Sequence, residues 1–406
     1  MTCSFLAVPD SPLVFRSGRP FGAADAGGGG ESLAFPLPAT TAGALRAAWC
    51  DAAGHRHHDQ HDHVLHAIHV RGPLRCTVLA AGVVEPWLAA PADAVQTTPT
   101  TRRERLSLVR LELEKDVEPG AEAEATAGCD LPYGLRPLRL PEAVETGPAR
   151  EGWALPELQA WLHRPSKSRQ SITRTAGGAL PTDLRTHVAI DSQGQRATDQ
   201  GLFASEGLDF TLPAAQAESV QGLLLYVDAP ADTENRLGAL AGRHGRLGAD
   251  GHTAAYVHLE DHSPPACPAT LAMQLDAVVP GDLLRLYLAT PACYLRNGCY
   301  PDGLRPEGIP QRLRGTLPGL AGWRFEVVAA AVGRFVAQAG YAMRSSGAAG
   351  TAGKPLRRLV PAGSVYWLRV LEREENATPL SQRWWQSTCY VEFARDGHGL
   401  GLWGLA

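Results

Sequence analysis

The sequence predicts an α+β protein, and three observations lead there. Short apolar strands outnumber helical stretches. Glycine (43) and proline (31) are frequent enough to favour turns over long helices. The strands and helices also fail to alternate in the regular way a doubly wound parallel sheet requires. At 406 residues the chain is long enough for two substantial cores, and 44% hydrophobic with 20% charged residues fits an ordinary globular protein. No apolar run approaches the roughly 18 residues that span a bilayer. The N-terminus lacks a basic segment ahead of an apolar core, so a cytoplasmic protein without membrane association is expected.

Taken in order, Phe5 and its apolar neighbours predict a strand over 5–8. A Thr N-cap and the spacing of Leu45 and Trp49 predict a helix over 42–51 that opens near Gly43. Strands are expected over 64–70 and 74–84. The segment 96–185 is less regular. Its alternating run 106–113 suits a strand, and residues 155–162, with Pro156 as a start signal, suit a short helix. The polar stretch 166–178 reads as a mobile loop or hairpin. Strands over 186–190 and 223–227 should complete the first sheet. After a glycine-bearing loop over 242–251, strands over 255–259, 283–288, 325–332, 365–370 and 389–393 should form a second unit. The Gly-Ala run 347–353 reads as a flexible loop.

Charge is informative because it is uneven. A net charge of −4 argues against indiscriminate nucleic-acid binding. Yet Arg164, Lys167, Arg169, Arg174 and Arg185 face only Asp183 in their segment. Arg324, Arg334, Arg344, Lys354, Arg357, Arg358 and Arg369 face only Glu326 in theirs. Each run is either a solvated face or a local groove for one nucleic-acid strand, and both contain small Gly, Ser and Thr donors that suit contact with a phosphate chain. Near the N-terminus, Arg16 and Arg19 lie on a loop where Gly18 and Gly22 allow close backbone approach and Pro20 stiffens the turn. A helix carrying Arg46 follows. The loop reads as a seat for phosphates or as a surface loop with two solvated arginines.

The rival signals are chemical. Seven of the 14 histidines fall within 55–69, at His55, His57, His58, His61, His63, His66 and His69, with Asp59 and Asp62 among them. Imidazole and carboxylate together ligate divalent metals, which would suit a metal-dependent hydrolase. The segment lacks hydrophobic spacing, however, and an exposed histidine loop is more often adventitious; no metal or other cofactor is expected. The eight cysteines contain no C-x-x-C pair, so buried thiols are the default. No G-x-S-x-G, H-E-x-x-H or Walker loop is present. Gly397-His398-Gly399-Leu400-Gly401 has no helix after it and is not a dinucleotide fingerprint. A metal-independent ribonuclease would need a base and a cation, for which His187 or His252 beside Lys167 are candidates.

The motifs carry a resemblance. Pro12-Leu13-Val14-Phe15-Arg16-Ser17-Gly18-Arg19-Pro20-Phe21, Phe35-Pro36-Leu37-Pro38 and Gly43-Ala44-Leu45-Arg46 resemble the opening of RAMP proteins of CRISPR effector complexes. The specific likeness is to the third subunit of the Cmr-type (type III-B) complex, in the Cas-five-like group. It continues in order through Arg71-Gly72-Pro73, Pro91-Ala92-Asp93-Ala94-Val95, Arg185 to Asp191, and Arg246 to His252. Leu286 to Ala292 and Val360 to Tyr366 follow. Ala249 and His252 depart from the family's "LGGEGR" loop.

The resemblance implies two RRM-like (ferredoxin-like) units, 1–245 with a large insertion at about 96–185, and 246–406. It implies a thumb hairpin in the insertion, for which 166–178 is the candidate. It also implies a non-catalytic subunit that binds the 5′ repeat-derived handle of the guide (CRISPR) RNA in antiviral defence. Partners would be the large polymerase-like subunit and the RAMP backbone subunits. The RNA-binding residues expected are Arg16, Arg19, Phe21 as a base platform, Arg46, Lys167, Arg169, Arg174, Arg185, His252, Lys354, Arg357 and Arg358. A guide-processing ribonuclease is the alternative.

Overall fold

The computed structural model describes residues 2–17, 32–54, 62–97, 108–113, 131–140, 146–148, 152–163, 179–191, 193–194, 196–211, 218–230, 237–296, 298–342, 352–353 and 355–406. Helix and sheet are mixed, and every strand pair is antiparallel. In chain order the principal strands begin with β1 (Thr2–Pro9), β2 (His69–Val78), β3 (Val84–Leu88) and β4 (Trp153–Ala154). There follow β5 (Thr182–Ile190), β6 (Ala197–Leu208), β7 (Val220–Asp228), β8 (Arg243–Arg246) and β9 (Thr253–His258). The first sheet runs β8-β9-β1-β7-β2-β3-β4. It therefore extends to His258, so the strand that sequence placed in the second unit belongs beside β1. β5 and β6 form a two-stranded sheet of their own, so the strand expected to complete the first sheet instead lies in a separate ribbon.

Helix α1 (Pro38–Ala52) covers one face of this sheet. It starts at Pro38, with no side-chain cap from Leu37; Thr40 and Thr41 fall inside the first turn, and the Thr41 hydroxyl donates to Pro38 O at 3.0 Å. Proline needs no N–H there and fixes a helical φ, which is why the helix opens earlier than a Thr cap would place it. Ala42, Leu45 and Trp49 bury against Phe5, Ala7, Leu223, Leu225 and Val227. The alternate residues Leu6, Leu224 and Tyr226 face the other way into a larger core. Burial on both faces explains the unbroken apolar run of β7. Residues 64–67, expected to be extended, lie in a short helix α2 (Asp62–Ala67).

The second sheet contains β10 (Leu283–Leu288), β11 (Leu304–Glu307), β12 (Arg312–Gly315), β13 (Trp323–Ala331), β14 (Val365–Arg373), β15 (Gln386–Ser387) and β16 (Leu400–Leu405). Its order is β11-β12-β13-β14-β10-β16-β15. Residues Val391–Ala394, expected as a strand, form one helical turn. The expected strand, 389–393, is too short to separate the two periods.

A buried seam joins the sheets. Arg285 on β10 and Asp93, both fully buried, pair at 2.8 Å. The guanidinium also donates to Trp161 O at 2.6 Å and Leu405 O at 2.7 Å, and Trp161 Nε1 donates to Asp93 Oδ1 at 3.0 Å. Each charge thus finds several partners, the condition for keeping an ion pair in a core. Nearby, Ala92 N–H donates to Gly363 O at 2.8 Å. Gly397 lies with φ +90, and a Cβ there would sit 2.5 Å from Gly72 O. The two glycine motifs meet backbone to backbone across the seam, and the C-terminal one leads into β16, which has β10 and β15 as neighbours.

Candidate nucleic-acid interface

The loop after β1 is held by two separate segments. Leu13 exchanges backbone hydrogen bonds with Leu208 at 2.9 and 2.8 Å, clipping the end of the β5–β6 ribbon to it. Ala249 N–H donates to Val14 O at 2.8 Å, docking the 247–252 loop. Gly248, at φ +84, would place a Cβ 2.7 Å from Val14 O, so that approach requires glycine. Arg16 then reaches Asp250 Oδ1 at 2.7 Å while its side chain stays half exposed.

Consecutive residues Asp10 and Ser11 each hold a histidine. His244 Nδ1 lies 2.9 Å from Asp10 Oδ2, which also accepts from Thr253 Oγ1 at 2.6 Å. His252 Nδ1 lies 2.9 Å from Ser11 Oγ. Hydrogen bonds from Thr253 and then His244 hold the Asp10 carboxyl below its ordinary pKa. Arg243 and Arg246 are exposed on β8, at the sheet edge. The result is a cationic surface of Arg16, Arg243, Arg246 and two histidines, tempered by Asp10 and Asp250. Such an array suits phosphate oxygens, which the arginines can meet as donors. His244 is missing from the residues expected from sequence, and so are Arg243 and Arg246. Their available signal was the basic tetrapeptide Arg243-His244-Gly245-Arg246.

The ribbon beside this loop has two characters. Leu184, Val188, Ile190 and Leu202 are exposed. His187 stacks on Phe203 at 5.1 Å and bonds Ser205 Oγ at 2.7 Å. Arg185 pairs with Asp183 at 2.6 Å and remains exposed.

The other expected residues divide. Arg46 sits in the seam: it donates to Asp396 Oδ1 at 2.6 Å, to Ile68 O at 2.8 Å and to Arg395 O at 3.0 Å. Its side chain is 14% exposed, so its guanidinium joins α1 to the C-terminal turn. Arg357 and Arg358 lie on a small ribbon, Val336–Gln338 paired with Arg357–Leu359, outside the first sheet. Arg19, Phe21, Lys167, Arg169, Arg174 and Lys354 lie outside the described residues, as do His55, His57, His58, His61 and the candidate hairpin 166–178. Among the described residues no group of three or more His, Cys, Asp or Glu is placed to hold a metal, and no helix is long and apolar enough to cross a membrane.

The model of the family CRISPR-associated protein (Cas_Cmr3) matches residues 6–406, and the chain belongs to that family. It is a Cmr3-type CRISPR-associated protein. No curated protein matches it. Among solved structures, it is similar to a chain of the type III-B Cmr-beta bound to cognate target RNA, determined by cryo-EM. That likeness has 14% identity and a TM-score of 0.44, covering 98% of this chain and 96% of the other. A chain of Cmr-beta bound to cognate target RNA and AMPPnP is similar at 12% identity and a TM-score of 0.39, covering 90% and 86%.

Proposed function

We propose that this chain is a non-catalytic RNA-binding subunit that holds the 5′ repeat-derived handle of the guide RNA. In this reading the handle phosphates lie across Arg16, Arg246 and His252. The β5–β6 ribbon stands where handle meets guide and serves as the thumb. Other faces dock on the large polymerase-like subunit and the first backbone subunit. The observation that carries the reading is the junction at the N-terminal loop, where Leu13 engages the ribbon and Val14 and Arg16 engage Ala249 and Asp250 of the 247–252 loop. A glycine-controlled loop bearing exposed arginines beside a projecting ribbon offers one strand both a backbone grip and a wall. Both sheets are read as ferredoxin-like units, with residues 96–185 as an insertion in the first.

The reading also favours binding over cleavage. Both histidines beside the arginines use Nδ1 to bond a residue at the end of β1, His244 on Asp10 and His252 on Ser11, and are read as groups that position the loop. The test is the salt dependence of guide binding. Replacing Arg16 and Arg246 with alanine should weaken handle-bearing RNA and reduce the log–log slope by roughly 0.7 for each lost contact. Unchanged affinity and slope would reject the assignment. Cleavage of repeat RNA by the purified chain that vanishes in His252→Ala or His244→Ala would replace it with the ribonuclease reading.

A further inference from the structure

We propose a second single-stranded RNA contact, a base-stacking platform built by Phe335 and Arg358 on the small ribbon beyond the second sheet. Phe335 is 50% exposed, unusual for a phenylalanine with a packed core close by. The Arg358 guanidinium lies over its ring at 4.9 Å from the centroid. The ladder explains this: Arg358 pairs with Ala337, two residues from Phe335, so the three share one face. Leu356, 64% exposed, has the same parity.

Arg357 points the other way, over Phe393 at 4.8 Å and on the side of Cys293, Asp302 and Glu392. The outward face therefore keeps its cation, and among the described residues Arg358 makes no ion pair. Exposed Arg334 precedes the ring, and between Glu326 and Glu372 the sequence holds no acidic residue.

A half-exposed aromatic ring with an arginine over it, in a stretch of sequence without acidic residues, matches single-stranded nucleic acid: a base stacks on the ring and its phosphate meets the guanidinium. An apolar protein surface would match Phe335 and Leu356 but would leave Arg358 and Arg334 to be desolvated without partners. Single-stranded RNA is accordingly the occupant. Stacking tolerates any base, so the platform suits a stretch of strand without a fixed sequence. It goes beyond the handle contact, since it lies on a different sheet and needs none of the N-terminal residues.

The test uses the full chain and two labelled ten-nucleotide probes lacking the handle: oligoadenylate, and the same sugar–phosphate chain without bases. The wild-type protein should prefer the base-bearing probe by about tenfold, the size of one stacked base. Phe335→Ala and Phe335→Leu should both abolish that preference, while binding of the abasic probe stays as in wild type. Arg358→Ala should weaken both probes. The Arg16/Arg246 variant should keep the preference, so failure of the handle reading and failure of this one are distinguishable. Unchanged preference in both Phe335 variants would overturn the proposal. Loss of assembly with the other subunits, without any change in RNA binding, would overturn it too and make the face a protein contact.

Discussion

The two sheets share a plan and differ in what covers it. Numbering the four central strands of each by their order in the chain, β1, β2, β7 and β9 lie in the order 4-1-3-2, and so do β10, β13, β14 and β16. In the first, the connection from strand one to strand two is α1, which folds over the sheet and buries Leu45 and Trp49. In the second, the same connection carries the β11–β12 hairpin, which adds two strands to the edge and sends Leu304 and Leu313 into the core. One topology thus accepts either a lid or an extension at one point. The extension leaves the second sheet dependent on its neighbours for cover: Leu155, Leu158 and Leu162 of the first unit's helix (Leu155–His163), and Leu271 and Leu275 of the helix Ala269–Asp276.

The contrast is open to attack at the two covers. Trp49 is 1% exposed under α1, and Trp49→Ala should cost about 3–5 kcal/mol. Ile309, fully exposed at the tip of the hairpin, should lose no more than about 0.5 kcal/mol on truncation to alanine. Urea unfolding midpoints for the pair of variants decide this. Comparable losses would mean that the hairpin is a packed lid as well.

A smaller effect sharpens the role of the seam. Gly397→Ala forces a side chain at φ +90, a strain of about 1–3 kcal/mol, and also drives its Cβ against Gly72 O. Gly281, at φ +101, has open space around its Cβ position and serves as the control. Gly397→Ala should destabilise more than Gly281→Ala, and the excess measures the backbone contact between units. Equal losses would remove the seam contact from the account.

The smallest effect is a pH limb confined to the first unit. The Asp10 carboxyl is held below its ordinary value, so the stability it contributes is present above the unfolded pKa near 3.9 and is lost as pH falls through the folded value. NMR titration should place Asp10 below that value. In Asp10→Asn the acid limb of the unfolding midpoint should be shallower than in wild type. Titration at the ordinary value would break the Thr253–Asp10–His244 arrangement.

Much of this was legible where local pattern and burial agree. The apolar run of β7 and the spacing of Leu45 and Trp49 in α1 are direct consequences of faces that stay buried. Pairing was not legible. Nothing local to residues 253–258 says that they lie beside β1, or that 182–190 form a ribbon of their own. Arg46 shows the same limit at the level of the site. As a sequence it reads as a phosphate ligand, but its carboxylate partner, Asp396, lies 350 positions away. Several motifs behind the family resemblance proved to be joints: Arg71-Gly72-Pro73 meets Gly397, and Pro91-Ala92-Asp93 meets Gly363 and Arg285.

The position of β1 has a kinetic consequence. Its neighbours on the two sides come from far along the chain, with Thr2 opposite Asp228 and Phe5 opposite His258. Closing loops of that length costs entropy before any ladder bond repays it, and topologies rich in such contacts fold slowly. The helix α1 and the β2–β3 hairpin form from nearby residues, whereas the strand at the centre of the sheet must wait for residues beyond 220. An N-terminal fragment ending short of that point has no partner in this sheet for its first strand.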